Sequence, residues 1–217
     1  MSNLARKIYL KIVHEYNDFS ERYLSAMRRK KLNNTDFTII SNNCWAGSVY
    51  RRYGLPYQSP TAGLYFFAEE YIKFVKDLKA GVSGDVKIIP TTESRYYEAL
   101  KRKGHENKLI GLINNEIEVV FLHYSNPEIA IEKWKRRCQR VNFDNLIVKF
   151  SEMDECEERH ISEFCKLPFK KKLLLLAKKN DRFPEGIVVK KYSDGNRVTD
   201  DTSFYASFVN LLDLINR

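Results

Sequence analysis

The residues best suited to chemistry sit in short polar segments that follow apolar runs. The sharpest is Ser41-Asn42-Asn43-Cys44-Trp45-Ala46-Gly47, where a β-type stretch ends in a polar turn and a helical pattern starts at once. A thiol near a helix N-terminus has a lowered pKa and is a better nucleophile, which is the expectation for Cys44. His123, at the end of another apolar run, is the candidate base, with Glu152 or Asp154 as the carboxylate that orients it. Asn42 and Asn43 offer oxyanion or sugar-hydroxyl donors, and Trp45 and Tyr124 are candidate substrate contacts. A basic stripe at helical spacing (Lys133, Arg136, Arg137, Arg140) suggests phosphate binding, with Arg136, Arg140 and Lys178 the candidate ligands. Each feature also has a plainer reading. Cys44 is then a small packing residue, His123 a satisfied strand-end histidine, and the stripe a solvated face. Cys156 and His160 share a helix face, but no fourth ligand or Cys-x-x-Cys pair joins them and Cys165, so no metal site is expected.

These segments can meet only if the strands preceding them run parallel, so that their carboxyl ends share one edge of a sheet. The pattern predicts strands at 36–41, 85–89, 145–150, 172–177 and 187–191, alternating with helices at 46–53, 96–102, 125–141 and 155–165. Ser59-Pro60-Thr61 predicts the start of a further helix that buries Phe67, Tyr71, Phe74, Val75 and Leu78 and stops at Gly81. Asn114-Asn115 predicts the turn of a hairpin between 108–113 and 116–124, and Ser125 with Glu128 has capping-box spacing. The expected fold class is therefore α/β, a mainly parallel sheet flanked by helices with one antiparallel hairpin. Residues 1–217 read as a single domain, with amphipathic helices at 4–30 and 202–216 as peripheral elements.

Lys and Arg outnumber Asp and Glu by 37 to 28, which favours anionic partners such as phosphates, nucleic acid or an acidic membrane. Nucleic-acid binding rests on that charge alone, because no P-loop, zinc finger or RNA-binding aromatic motif is present. The basic run Arg28 to Lys31 suits the end of a helix dipole, and peripheral membrane contact is its functional reading. No apolar stretch approaches the ~20 residues of a membrane span. The N-terminal apolar pattern carries Arg6, Lys7 and Lys11 and does not read as a signal peptide, and the four cysteines lack disulfide-framework spacing. The expected setting is cytoplasmic.

Four segments carry a resemblance: FTIISNNCWAGSVYRRYGLPYQSPTAGLYF (37–66), EEYIKFVKDL (69–78), FLHYSNPEIAIEKWKRRCQRVNFDNLIVKF (121–150) and FCKLPFKKKLLL (164–175). They resemble, in order, a bacterial family of unknown function associated with exopolysaccharide or capsular polysaccharide biosynthesis. Members of that family usually have a second glycine where this chain has Ala46. The SNNCW turn is also loosely similar to the GNCQ turn of a separate capsule acetyltransferase family with a hydrolase-like α/β fold. The resemblance implies a protein of surface-glycan assembly. The leading expectation is a transferase moving an acyl group to a glycan from an acyl-thioester donor. The alternatives are a glycosyltransferase using a nucleotide-sugar, with Glu152 and Asp154 at a metal-bound diphosphate, and a non-catalytic glycan- or nucleotide-binding accessory protein.

Overall fold

The computed structural model of the chain describes residues 23–190, 193–202 and 205–217. The first half runs α1 (23–29), β1 (Thr38–Ser41), α2 (Trp45–Arg52), α3 (Ala68–Lys76), α4 (Leu78–Ser83), β2 (Val86–Ile89), α5 (Tyr97–Arg102), β3 (Leu109–Ile113) and β4 (Ile117–Phe121). The second runs α6 (Pro127–Cys138), β5 (Leu146–Ser151), α7 (Glu158–Lys166), β6 (Lys171–Leu176), β7 (Ile187–Val188) and α8 (Leu211–Asn216).

β1, β5, β6 and β7 pair in that order as a four-stranded, wholly parallel sheet. Its inner strands are buried on both faces because both faces are covered. Ile39, Ile147, Leu173 and Leu175 pack with Trp45, Val49 and Tyr50 of α2 and with Leu211, Leu214 and Ile215 of α8. The alternate residues Ile40, Val148, Phe150, Leu174 and Leu176 join the opposite core, with α3, Trp134 of α6 and Phe164 of α7.

The hairpin is not part of that sheet. β2, β3 and β4 form a separate three-stranded antiparallel meander, in register from Val86–Ile113 to Ile113–Ile117. The turn is the predicted one, with Asn114 and Asn115 both at positive φ (53° and 59°). Val119 and Phe121 of the meander reach the same core as Ile40 and Val148, with the aromatic face of α3 in the cluster, so the second sheet is stacked across a helix and not added at an edge.

Ser59-Pro60-Thr61 does not open a helix. Ser59 Oγ accepts from Thr61 N at 3.1 Å, a local hydroxyl turn, and Thr61 Oγ1 accepts from Ser41 N at 3.2 Å. The chain then crosses between the sheets. Tyr65 exchanges backbone hydrogen bonds with Val120 (3.0 and 2.8 Å), and Phe66 N donates to Asn42 O at 2.9 Å. These partners take the amides a helix would use, so helix begins only at Ala68 and breaks at Asp77. α6 is capped by Asn126, whose Oδ1 accepts from Ile129 N at 2.8 Å, and not by Ser125. The predicted 202–216 helix shortens to α8 behind a 3-10 turn, Tyr205–Ser207. Of the predicted 4–30 helix, 23–29 is helical and residues 4–22 lie outside the described residues.

Candidate active site

The turn after β1 is built by its own side chains. Ser41 Oγ accepts from Ala46 N at 3.2 Å and donates to Asn43 O at 2.7 Å, while Asn43 Oδ1 accepts from Trp45 N at 3.2 Å. Cys44 is the N-cap residue of α2. Its Sγ lies 3.5 Å from Leu64 O, the acceptor for the thiol proton. Burial pushes the thiol up to about 11, outweighing the opposing pull of Arg51. The expected lowering is therefore reversed. The first amides of α2 are already satisfied by Ser41 and Asn43, and the sulfur is largely shielded from water.

Asn42 and Asn43 are not free donors. Asn42 Nδ2 donates to Ser151 O at 3.0 Å, and its Oδ1 accepts from Ser151 N and from Lys149 Nζ at 3.1 and 3.2 Å. Asn43 Nδ2 donates to Asp201 Oδ1 at 2.6 Å, and its Oδ1 accepts from Lys149 Nζ at 3.0 Å. Lys149 and Asp201 are fully buried and ion-paired, and Ser151 Oγ donates to the same carboxylate. This network clamps the SNNC turn to β5 and to the tail.

Cys44 lines a pocket of about 210 Å³ where the two sheets meet. Gly47 and Arg51 reach it from α2, Tyr57 and Gly63 from the crossing segment, His123 and Tyr124 from the end of β4, and Lys133 and Arg137 from α6. Gly63 has φ +84°, and a Cβ there would lie 3.2 Å from the Tyr124 ring. His123 is held below its usual pKa by burial, then by Lys108 and Arg51, so it is neutral at pH 7. Arg137 Nη1 donates to Ala62 O and Tyr124 Oη, both at 2.6 Å, and its guanidinium lies 4.9 Å from the Tyr57 ring centre. The expected meeting of Cys44, His123 and Tyr124 thus occurs, with Arg137 and Lys133 as the cations.

The other predicted site residues lie elsewhere. Trp45 is enclosed in the core against Tyr205, so its ring is not a surface for a ligand. Glu152 Oε2 accepts from Ala177 N at 2.8 Å, across to β6. Asp154 pairs with Lys103, and burial raises its carboxyl. Asp154 acts on Cys44 and Tyr65, and the charges acting on His123 are Lys108 and Arg51, so neither carboxylate orients the imidazole. Arg136 pairs with Glu132 at 3.0 Å, Arg140 donates to Tyr57 O at 3.2 Å, and Lys178 is exposed beyond β6. His160 is occupied on both nitrogens, by Glu157 N at 2.9 Å and Glu69 Oε2 at 3.1 Å. Among the described residues no three His, Cys, Asp or Glu side chains are grouped to hold a metal. A larger cleft, about 510 Å³, lies between Arg28, Lys31 and Arg52 and the 206–212 segment, and among the described residues its wall has no cysteine, histidine or carboxylate.

Sequence reasoning missed Lys149 and Asp201. A lysine inside the apolar run Leu146 to Phe150 was the available signal, whereas Asp201 had none. Of the basic stripe, Lys133 and Arg137 line the pocket, whereas Arg136 and Arg140 are not among its lining residues. Ala130, Trp134 and Arg137 fall at i, i+4 and i+7 and are the buried face of α6, so the spacing marks Arg137 and not Arg136.

Together these features define an α/β protein with a small cation-lined pocket beside the end of its first parallel strand. The chain belongs to the family described as "Domain of unknown function (DUF1919)", which matches residues 15–216. It is similar to an uncharacterized protein of Haemophilus influenzae, with 24% identity over 196 residues, covering 90% of this chain and 88% of that protein. All four cysteines are free thiols, and no described helix is long and apolar enough to cross a membrane.

Proposed function

We propose that the protein is a transferase of bacterial exopolysaccharide or capsule assembly that moves an acyl group from an acyl-thioester to a glycan hydroxyl. The observation that supports this is the presence of a cysteine and a neutral histidine in one small pocket at the carboxyl end of β1, where open α/β sheets bind ligands. The polysaccharide setting comes from the sequence resemblance. Cys44 is protonated at rest, so His123 takes the thiol proton as the sulfur attacks the thioester carbonyl. The donor thiolate leaves and receives that proton. A sugar hydroxyl then attacks the Cys44 thioester, its proton passes to His123 and back to the departing Cys44 sulfur, and the free thiol is restored. Arg51, which acts on both Cys44 and His123, offsets the negative charge that develops. In this reading the protein works in the cytoplasm, and its basic cleft at Arg28, Lys31 and Arg52 meets an acidic membrane surface.

The test is incubation with acetyl-coenzyme A followed by peptide mass spectrometry. A hydroxylamine-sensitive acyl group on the Cys44 peptide, lost in Cys44→Ala and slowed in His123→Ala, is the expected result. Labelling spread equally over Cys138, Cys156 and Cys165, or none at all, would sink acyl transfer. The raised thiol pKa favours a second reading, a non-catalytic glycan-binding accessory protein. That protein would bind oligosaccharide equally well as Cys44→Ala and would never carry the acyl group.

A further inference from the structure

Arg137 is a buried guanidinium, 8% exposed, that pairs with no described carboxylate. Its neighbours are a carbonyl, a phenol and an aromatic ring. The phenol of Tyr124 is pushed above its ordinary value by burial, so it is neutral. Arg95, Arg102, Arg136 and Arg159, by contrast, each hold a carboxylate. Lys133 lies 5.5 Å from the Tyr124 ring centre, and Arg51 Nη2 donates to Ser48 Oγ at 3.2 Å. Neither forms an ion pair with a described carboxylate. Two aspartates act on Cys44 from beyond the pocket wall, but Asp201 is bound by Lys149 and Asp154 by Lys103. Three cations therefore converge on one pocket whose wall, among the described residues, contains no acidic residue. Arg137 is the buried one of the three, and removing its charge from water is costly unless a counter-charge meets it.

We infer that this pocket seats the phosphoryl group of a sugar phosphate, held by Arg137, Lys133 and Arg51. A dianion balances three cations more fully than one carboxylate does, and Arg and Lys are the usual phosphate ligands. Ligand pockets commonly span about 300–1,000 Å³. At about 210 Å³, this one holds a phosphoryl group and little more than the first ring, with any larger part outside. The phosphoryl group belongs either to a free sugar phosphate or to the diphosphate of a nucleotide-sugar. The inference shares its pocket with the proposed transferase and rests on that reading only for the sugar. It does not use the cysteine chemistry.

Calorimetric titration at low salt tests it, with glucose 1-phosphate, uridine diphosphate glucose, glucose and glucuronate as probes. At least one phosphate compound binds, and glucose does not. Lys133→Ala and Arg51→Ala each weaken that binding by about tenfold, the loss expected for one charge-assisted contact, while Arg136→Ala leaves it unchanged. Tighter binding of glucose 1-phosphate assigns a free sugar phosphate, and tighter binding of the nucleotide-sugar assigns the diphosphate. Glucuronate binding as tightly as either phosphate compound overturns the inference. So does an equal loss in Arg136→Ala, which would reduce the effect to general surface charge, or no phosphate binding by the folded wild-type chain. An absent acyl adduct with intact phosphate binding removes acyl transfer and leaves this site standing. The converse result removes the site alone.

Discussion

Cys44 is kept as a thiol by its surroundings, and this sets how it meets any reagent. Burial raises all four thiols, but Cys44 only to about 11 against about 12 for Cys138, Cys156 and Cys165. Arg51 and Lys149 hold Cys44 below the others. The thiolate is the reacting species, so alkylation by iodoacetamide should be slow at neutral pH. It should keep rising as pH climbs toward 11, with Cys44 labelled ahead of the other three. Arg51→Ala should slow Cys44 alone, because it removes a charge that stabilises the thiolate. Peptide mapping across a pH series checks both. A Cys44 rate that levels off near pH 8, or an order led by another cysteine, would contradict this picture. The site was partly legible at this scale. Cys44, His123 and Tyr124 could be placed together because each follows an apolar run. The roles of Asn42, Asn43 and Lys149 depend on Asp201, which lies 158 residues beyond Asn43 in sequence, and no local pattern encodes that pairing.

The segment from Ser193 to Thr202 has little regular structure, yet it behaves as part of the parallel sheet's edge. Val198 N donates to Glu152 O at 2.8 Å, Ser193 Oγ donates to Ala177 O at 3.1 Å, and Asp201 enters the Lys149 network. Breaking one partner of a buried pair leaves an uncompensated charge and costs about 3–5 kcal/mol. Asp201→Ala and Lys149→Met should each lower the urea midpoint by a loss of that size. The double variant Lys149→Met, Asp201→Leu should cost clearly less than the two singles added, since neither charge is then left alone. Strict additivity would mean that the pair is not coupled. Asp201→Ala should also open the tail to proteolysis near residue 195 before the core unfolds. Gly63 gives a second test in the crossing segment. Gly63→Ala forces a side chain into φ +84°, costing about 1–2 kcal/mol, and presses its methyl toward Tyr124. The parallel strands were readable because each is a short, mostly apolar run that ends in a polar turn. The crossing segment was not readable. Ser59-Pro60-Thr61 is a sound helix start by local chemistry, but Val120 and Asn42 take the backbone groups of Tyr65 and Phe66 first.

The two sheets share one core, and a charged clamp fixes them together. Glu70 of α3 is 1% exposed and accepts from Glu118 N of β4 at 2.7 Å, Arg95 Nη2 at 2.8 Å and Tyr96 Oη at 3.0 Å. Tyr71, next in sequence, donates to Ile40 O and Lys149 O at 2.9 and 2.8 Å and stacks on Phe150. The antiparallel sheet is therefore bound to the parallel one through buried phenols and a buried carboxylate. A free thiol has an ordinary value of 9.0 and a phenol 10.0, whereas burial raises the four cysteines to about 11 or 12 and lifts Tyr50 and Tyr71 further. Above pH 9 the unfolded chain has thus lost protons that the folded chain retains, and stability falls as pH rises. The contribution is whole below about pH 9 and is lost progressively through pH 11 to 12 for the thiols, then beyond that for the tyrosines. Urea unfolding at about pH 10.5 should show a lower midpoint than at about pH 8. The buried phenols should ionise together with the loss of near-ultraviolet circular dichroism. A smooth phenolate titration that precedes any loss of tertiary signal, with an unchanged urea midpoint, would mean that these groups are wetter than the packing implies. It would also mean that the joint between the sheets, where the Cys44 pocket lies, opens without global unfolding.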